Sequence, residues 1–122
     1  LSVNGISVGK GVNAVSGNTV LGAAALDASV SGGNNTAIGN QALQVQNFTT
    51  QTEVNNTAVG FFAGQAMTVG IRNTLVGSFA GADLTDADFN VAVGHNALSV
   101  NVLGSRSTAV GHNALLFQSW II

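Results

Sequence analysis

The chain has no cysteine and no proline, and only 7% of its residues carry charge. Without cysteine, neither a disulfide framework nor a thiolate metal site is available. Ordinary soluble domains carry roughly 25% charged residues. The cations are Lys10, Arg72 and Arg106, far apart in sequence, and the net charge is −2. That leaves no electrostatic footprint for nucleic acid. No apolar run approaches the ~18 residues of a membrane span, so membrane insertion is not expected. The opening residues show neither a basic n-region nor an apolar h-region, so no signal peptide is expected. The 122 residues suffice for one domain. Hydrophobic residues reach 46%, many of them Ala and Val. A charge-poor chain of this size exposes much apolar surface as a monomer, which points to an oligomer burying one face of every repeat.

What the chain does have is repetition. Asn56-Thr57-Ala58-Val59-Gly60-Phe61-Phe62-Ala63-Gly64 returns as Asn18-Thr19-Val20-Leu21-Gly22-Ala23-Ala24-Ala25-Leu26 and as Asn35-Thr36-Ala37-Ile38-Gly39-Asn40-Gln41-Ala42-Leu43. Further units begin at Asn73, Asn90 and Ser107. The central glycines Gly22, Gly39, Gly60, Gly77, Gly94 and Gly111 are spaced by 17, 21, 17, 17 and 17 residues. A fixed period with one insertion marks a stacked repeat architecture. A period of 17 is too short for a leucine-rich horseshoe or a helix pair. It fits two short strands and two turns, one coil of an all-β solenoid. About seven coils at the ~4.8 Å strand spacing make a rod of roughly 30 Å.

Within each unit, alternation around a β-branched residue signals a strand. The branched aliphatic before each glycine (Leu21, Ile38, Val59, Val76, Val93, Val110) is expected inside the coil. The glycine is expected at a bend where a Cβ obstructs the turn or the next chain. Ala25, Ala42, Ala63, Ala80, Ala97 and Ala114 stand three residues after the glycines. Such constancy predicts a crowded position between layers or subunits. Phe62 and Phe79 occur only in units whose Leu is replaced by Gly64 or Gly81. Positions two apart in a strand share a face, so these rings are expected to fill the space Leu occupies elsewhere.

Residues 1–17 read as an N-terminal cap or a shortened coil, because terminal repeats depart from the consensus. Residues 18–115 hold six repeats of 17 residues, one with a four-residue insertion. Residues 116–122, with Trp120, read as a C-terminal cap or linker. The insertion lies in the Gln/Thr-rich segment 44–55, and solenoid insertions map to surface loops. That segment and 82–89 are the candidate contact loops.

Candidate chemistry is sparse. The recurring Asn (Asn18, Asn35, Asn56, Asn73, Asn90) is expected to stack as a hydrogen-bonded ladder. His95 and His112 occupy equivalent positions in adjacent coils, a weak candidate for a shared metal. Asp83, Asp86 and Asp88 gather three of the five acids, a weak candidate for Ca²⁺, but the spacing misses the EF-hand pattern. Thr19, Thr36, Thr57, Thr74 and Thr108 form a column able in principle to order water. It shares a face with the aliphatic expected inside, so packing is the better account. No carboxylate pair, nucleophile or cofactor motif converges, so no enzyme activity and no cofactor are expected.

The units Asn35-Thr36-Ala37-Ile38-Gly39 and Asn56-Thr57-Ala58-Val59-Gly60 resemble the head repeats of YadA-like trimeric autotransporter adhesins. The fuller unit, ending Ala42-Leu43, resembles repeats in bacteriophage tail fibres. Val3-Asn4-Gly5-Ile6-Ser7-Val8-Gly9-Lys10-Gly11 also resembles the segment that precedes such repeats there. The resemblance implies a left-handed parallel β-roll assembled as a homotrimer. It implies a structural and attachment segment of a virion tail fibre, displaying loops to a host cell-surface polysaccharide or protein. The alternative is a structural spacer or extracellular filament or adhesin subunit without a ligand site of its own.

Overall fold

The computed structural model describes residues 1–28, 31–50, 53–100 and 104–117. Eight strands form one sheet in chain order: β1 (Ser2–Val3), β2 (Ile6–Gly9), β3 (Thr19–Gly22), β4 (Thr36–Ile38), β5 (Thr57–Val59), β6 (Thr74–Val76), β7 (Val91–Val93) and β8 (Thr108–Val110). Strands β3 to β8 are parallel and in register, with Thr19, Thr36, Thr57, Thr74, Val91 and Thr108 in successive rungs. The molecule is therefore an all-β parallel solenoid. Among the described residues there is no helix, and so none long and apolar enough to cross a membrane.

Six parallel strands make about five turns rather than the seven coils expected. Part of the difference lies at the start of the chain. There β1 and β2 form an antiparallel hairpin, and β2 runs antiparallel to β3 with Val8 opposite Leu21. This arrangement covers the β3 edge, which otherwise presents unpaired backbone groups to another chain. At the other end Val100 N–H donates to Leu116 O (2.9 Å), and Val100 bridges Phe117. The rest of segment 116–122, Trp120 included, lies outside the described residues.

Each coil has one named strand, not two. The second side is a turn in which the residues two and four places after the glycine are both left-handed. Ala24, Gln41, Phe62, Phe79, Asn96 and Asn113 have φ between 53° and 60°. Leu26, Leu43, Gly64, Gly81, Leu98 and Leu115 have φ between 47° and 60°. A left-handed L-residue costs roughly 1–2 kcal/mol. Coil-to-coil backbone bonds offset it: Gln41 N–H to Ala23 O (2.9 Å), Phe62 N–H to Asn40 O (3.0 Å) and Phe79 N–H to Phe61 O (2.8 Å).

The facing of the strands corrects the sequence reading. Only the central strand residue points inward: Val20, Ala37, Ala58, Leu75, Ala92 and Ala109 are at most 2% exposed. The aliphatic before the glycine faces out, with Leu21 45% and Val110 68% exposed. In a three-residue strand the first and third side chains share the face opposite the second. The narrow interior takes the small central residue.

The Phe inference fails for a related reason. In a left-handed turn, residues two apart do not share a face as they do in a strand. Phe62 and Phe79 lie half-buried on the outside. The space freed at Gly64 is taken by Leu75 and Leu43, whose Cδ atoms are 2.8 and 2.9 Å from where a Cβ would sit. At Gly81 the neighbours are Leu84 and Leu75, at 2.7 and 2.8 Å. Volume is exchanged between coils, as dense packing requires, but by Leu75, Leu84 and the buried Met67.

Two columns lock the coils together. At the glycine corner, a Cβ on Gly39, Gly60, Gly77 or Gly94 would stand 2.5–2.6 Å from the carbonyl oxygen of the glycine in the next coil. At the start of each strand the buried Asn accepts, through Oδ1, the backbone N–H of its counterpart in the next coil. The distances are 2.8 Å for Asn35 on Asn18, 3.0 Å for Asn56 on Asn35, 2.8 Å for Asn73 on Asn56, 2.9 Å for Asn90 on Asn73 and 2.9 Å for Ser107 on Asn90. The amide also reaches across the coil, with Asn56 Nδ2 donating to Gly70 O (2.7 Å) and Asn73 Nδ2 to Ala87 O (2.8 Å). Ala25, Ala42, Ala63, Ala80 and Ala97 are buried in the coil interior, where crowding fixes their size, while Ala114 in the last described coil is half-buried.

Candidate interaction surfaces

The outward strand face is the first surface. Each rung presents the first and third strand residues: Thr19 and Leu21, Thr36 and Ile38, Thr57 and Val59, Thr74 and Val76, Val91 and Val93, Thr108 and Val110. None of these side chains is charged, and every one is at least partly exposed. The Thr column thus lies outside with the aliphatic column, not packed within, so the packing argument against a surface role does not hold.

Past the glycine corners of β5 to β8 runs an aromatic stripe. Phe61 stacks on Phe62 (centroids 4.0 Å, 17°) and meets Phe79 edge-on at 5.3 Å. Phe79 meets His95 at 6.0 Å, and His95 stacks on His112 at 5.2 Å, nearly parallel. Both imidazoles are exposed. The one-period spacing brings His95 and His112 face to face, with a ring and not a carboxylate next in the column.

At the start of each strand runs a second column, made of the residue before the recurring Asn. Asn34, Asn55, Arg72, Phe89 and Arg106 all have φ between 56° and 63° and are exposed. Arg72 Cζ lies 5.6 Å from the centroid of the Phe89 ring, and Arg106 Cζ lies 5.5 Å from it. Arg72 and Arg106 are far apart in sequence. They stand two periods apart, and the period itself places them in one column.

The acidic segment does not gather its carboxylates. Asp86 Oδ1 accepts from Thr68 Oγ1 (3.0 Å), and Asp88 Oδ1 accepts the Ile71 backbone N–H (2.8 Å). Asp83 is exposed, and its backbone N–H donates to Ser99 O (3.0 Å). Among the described residues no three His, Cys, Asp or Glu side chains come together as a metal site.

The insertion folds back on the first coil over much of its length. Ser31 Oγ lies within hydrogen-bond reach of both Phe48 O and Thr50 O, and the Phe48 ring covers Gly32. Gln46 is fully buried. Val45, Asn47, Thr49 and Thr50 remain exposed, while residues 51 and 52 lie outside the description. Near the hairpin an open cleft of about 400 Å³ is lined by Ser2, Ser7, Lys10 and apolar neighbours, without a carboxylate or imidazole.

No family model, no curated protein and no solved structure matches the chain.

Proposed function

We propose that this chain is a trimeric structural and attachment segment of a phage tail fibre, displaying its loops for recognition of a host cell surface. The observation that carries the reading is the outward strand face: six rungs of Thr, Val, Ile and Leu without a charge. A face so regular presents the same residues at each level to every copy around a rotation axis. Apolar surface of this kind, continuous with the Phe61 and Phe62 corner, favours burial against like surface. Three chains sharing an axis then form a rigid rod and repeat each loop three times. Weak contacts gain avidity when their geometry allows simultaneous engagement.

The test is the absolute mass in solution, by light scattering on a sizing column. Three times 12.2 kDa supports the proposal. Placing Asp at Val59 and Val76 should dissociate that species, because a charge at a buried contact without a partner is strongly unfavourable. Substituting the exposed Val45, Asn47 and Thr49 of the inserted segment by Ser, with its buried Gln46 and Val54 kept, should preserve the trimer and reduce cell adsorption. A trimer that adsorbs to no cell leaves the spacer reading in its place. A folded monomer refutes the axial burial. The outward Thr column then becomes the surface to assay for water ordering, by thermal hysteresis.

A further inference from the structure

We propose that Arg72, Phe89 and Arg106 form a binding column for an acidic polysaccharide, its carboxylates held by the two guanidiniums. The inference rests on the attachment reading for its biological role. The chemistry of the column is independent of it.

The column concentrates what the rest of the molecule lacks. Two of the three cations of the chain flank one ring. Neither guanidinium forms an ion pair with a carboxylate of the described residues. Asp88 Oδ1 accepts the Ile71 N–H and Asp86 Oδ1 the Thr68 hydroxyl, so each of these acids holds one bond away from the guanidiniums. The backbone beneath is fixed: Arg72 N–H donates to Val54 O (2.8 Å), Phe89 N–H to Ile71 O (3.0 Å) and Arg106 N–H to Asp88 O (2.9 Å). Contact with the ring orients both guanidiniums and leaves their N–H groups for a ligand. Such a planar fork matches a carboxylate with two parallel hydrogen bonds.

Spacing selects the class of ligand. Arg72 and Arg106 are two coils apart, on the order of 10 Å along the axis. At that separation two like charges repel within about one Debye length, and a ligand with two anionic groups relieves the repulsion. An extended glycan advances by close to one coil rise per sugar ring. A uronate on every second ring therefore places one carboxylate at each arginine. Phe89 acts as the spacer between them. The exposed amides of Asn34 and Asn55 continue the same column and can hydrogen-bond sugar hydroxyls.

The experiment titrates the intact chain with an oligosaccharide of alternating uronate and N-acetylhexosamine, with neutral dextran and with polyphosphate. The uronate oligosaccharide should bind and dextran should not. Arg72→Gln and Arg106→Gln should each lower affinity about tenfold, as expected when a charged hydrogen bond is lost. Each should also reduce the dependence of log affinity on log salt. Lysine at both positions should recover part of the affinity, with thermal melts as the check on folding. Phe89→Leu keeps both charges but loses the spacer, and should weaken the uronate ligand more than polyphosphate. Equal binding of dextran, no binding of the uronate chain, or an unaffected double glutamine variant overturns the proposal. So does equal loss of uronate and polyphosphate on Phe89→Leu, which reduces the column to unspecific charge. Cell adsorption separates this from the attachment reading. If the double variant loses the glycan but still adsorbs, the column stands and attachment uses another surface. If no glycan binds while cells still adsorb, only the column fails.

Discussion

The strand side and the turn side of each coil keep the same neighbour-to-neighbour bonding by different means. On the strand side the backbone is unstrained and the residues are exchangeable. Val91 replaces Thr in one rung, and Val20 and Leu75 replace Ala in others, without a change of register. On the turn side and at the strand entry, each coil holds non-glycine residues in the left-handed region, among them Gln41, Phe62, Arg72 and Asn96. Their conformation persists because the coils above and below fix it, so an isolated coil has little stability. Repeat arrays of this kind depend on the sum of their interfaces. The difference teaches that the columns at the corners specify the coil, while a strand position accepts a larger residue where a neighbouring coil makes room for it, as Gly64 and Gly81 do for Leu75.

The sharpest way to break that rule is at the glycine corner. Gly94→Ala places a Cβ 2.5 Å from the Gly111 carbonyl, on a backbone at φ 135°. A clash with backbone has no flexible side chain to absorb it. The expected loss exceeds about 4 kcal/mol, the range of core disruptions. Gly111→Ala has similar φ (126°), but its nearest neighbour is the Ala114 Cβ at 4.0 Å. It should cost only the backbone strain, about 1–3 kcal/mol. Denaturant unfolding at one protein concentration compares the two. Equal losses would mean that conformation, and not collision, fixes the glycine column.

Next in size is the Asn corner. Asn73→Ala removes the acceptor of the Asn90 N–H and the donor to Ala87 O, both buried. Leaving two buried groups unpaired costs roughly 2–4 kcal/mol. Thr74→Ala, one residue on, removes no buried hydrogen bond of the coil and should change the stability of the protomer itself by less than about 0.5 kcal/mol. Hydrogen exchange at Asn90 gives a local readout: its amide should lose protection in Asn73→Ala and keep it in Thr74→Ala.

A third comparison separates the outside of the turn from its inside. Met67 is fully buried and Phe62 is half-buried on the aromatic stripe. Met67→Ala should cost about 2–5 kcal/mol through the cavity it opens. Phe62→Ala forfeits contacts with Phe61 and Phe79, of order 0.5–1.5 kcal/mol beyond its partial burial. The reverse order would return Phe62 to the core.

The period carried most of what could be read from the chain. It located the strands, the glycine and Asn columns, and the stacking of His95 on His112, because each needs only that equivalent positions superpose. It also held the Arg72–Phe89–Arg106 column, visible once residues are compared by coil position and not by distance along the chain. Facing was not legible. Asn-Thr-Ala-Val-Gly alternates equally well with either set inside, and hydrophobicity favoured the wrong one, because the narrow interior selects for size over hydrophobicity. The left-handed turn was hidden for another reason. Gln41, Phe62 and Leu43 are not residues that announce positive φ, and only the coil-to-coil bonds hold them there. The hairpin at the start was obscured by Ile6-Ser7-Val8-Gly9, which echoes a repeat strand but pairs antiparallel to β3.

A modest gain, not a loss, tests whether the interior tolerates polarity. Gln46 stands seven residues after its glycine, where the following coils have Met67 and Leu84, and all three are fully buried. Its Nε2 reaches Asn35 Oδ1 only at 3.4 Å, and that oxygen already accepts the Asn56 N–H at 3.0 Å. Its Oε1 has no partner among the described residues. Gln46→Met keeps the length of the side chain, removes the unpaired oxygen and reproduces the residue of the next coil. Replacing a poorly paired buried amide by an apolar group of similar shape is neutral to stabilising. The gain should be about 1 kcal/mol, a rise of about 4 °C in Tm. The melt is compared at fixed protein concentration, because assembly shifts it. A fall in Tm would mean that the amide makes a bond worth keeping, with water or with the remainder of the inserted loop. The polar residue would then belong to the structure of the loop and not be an imperfection of the core.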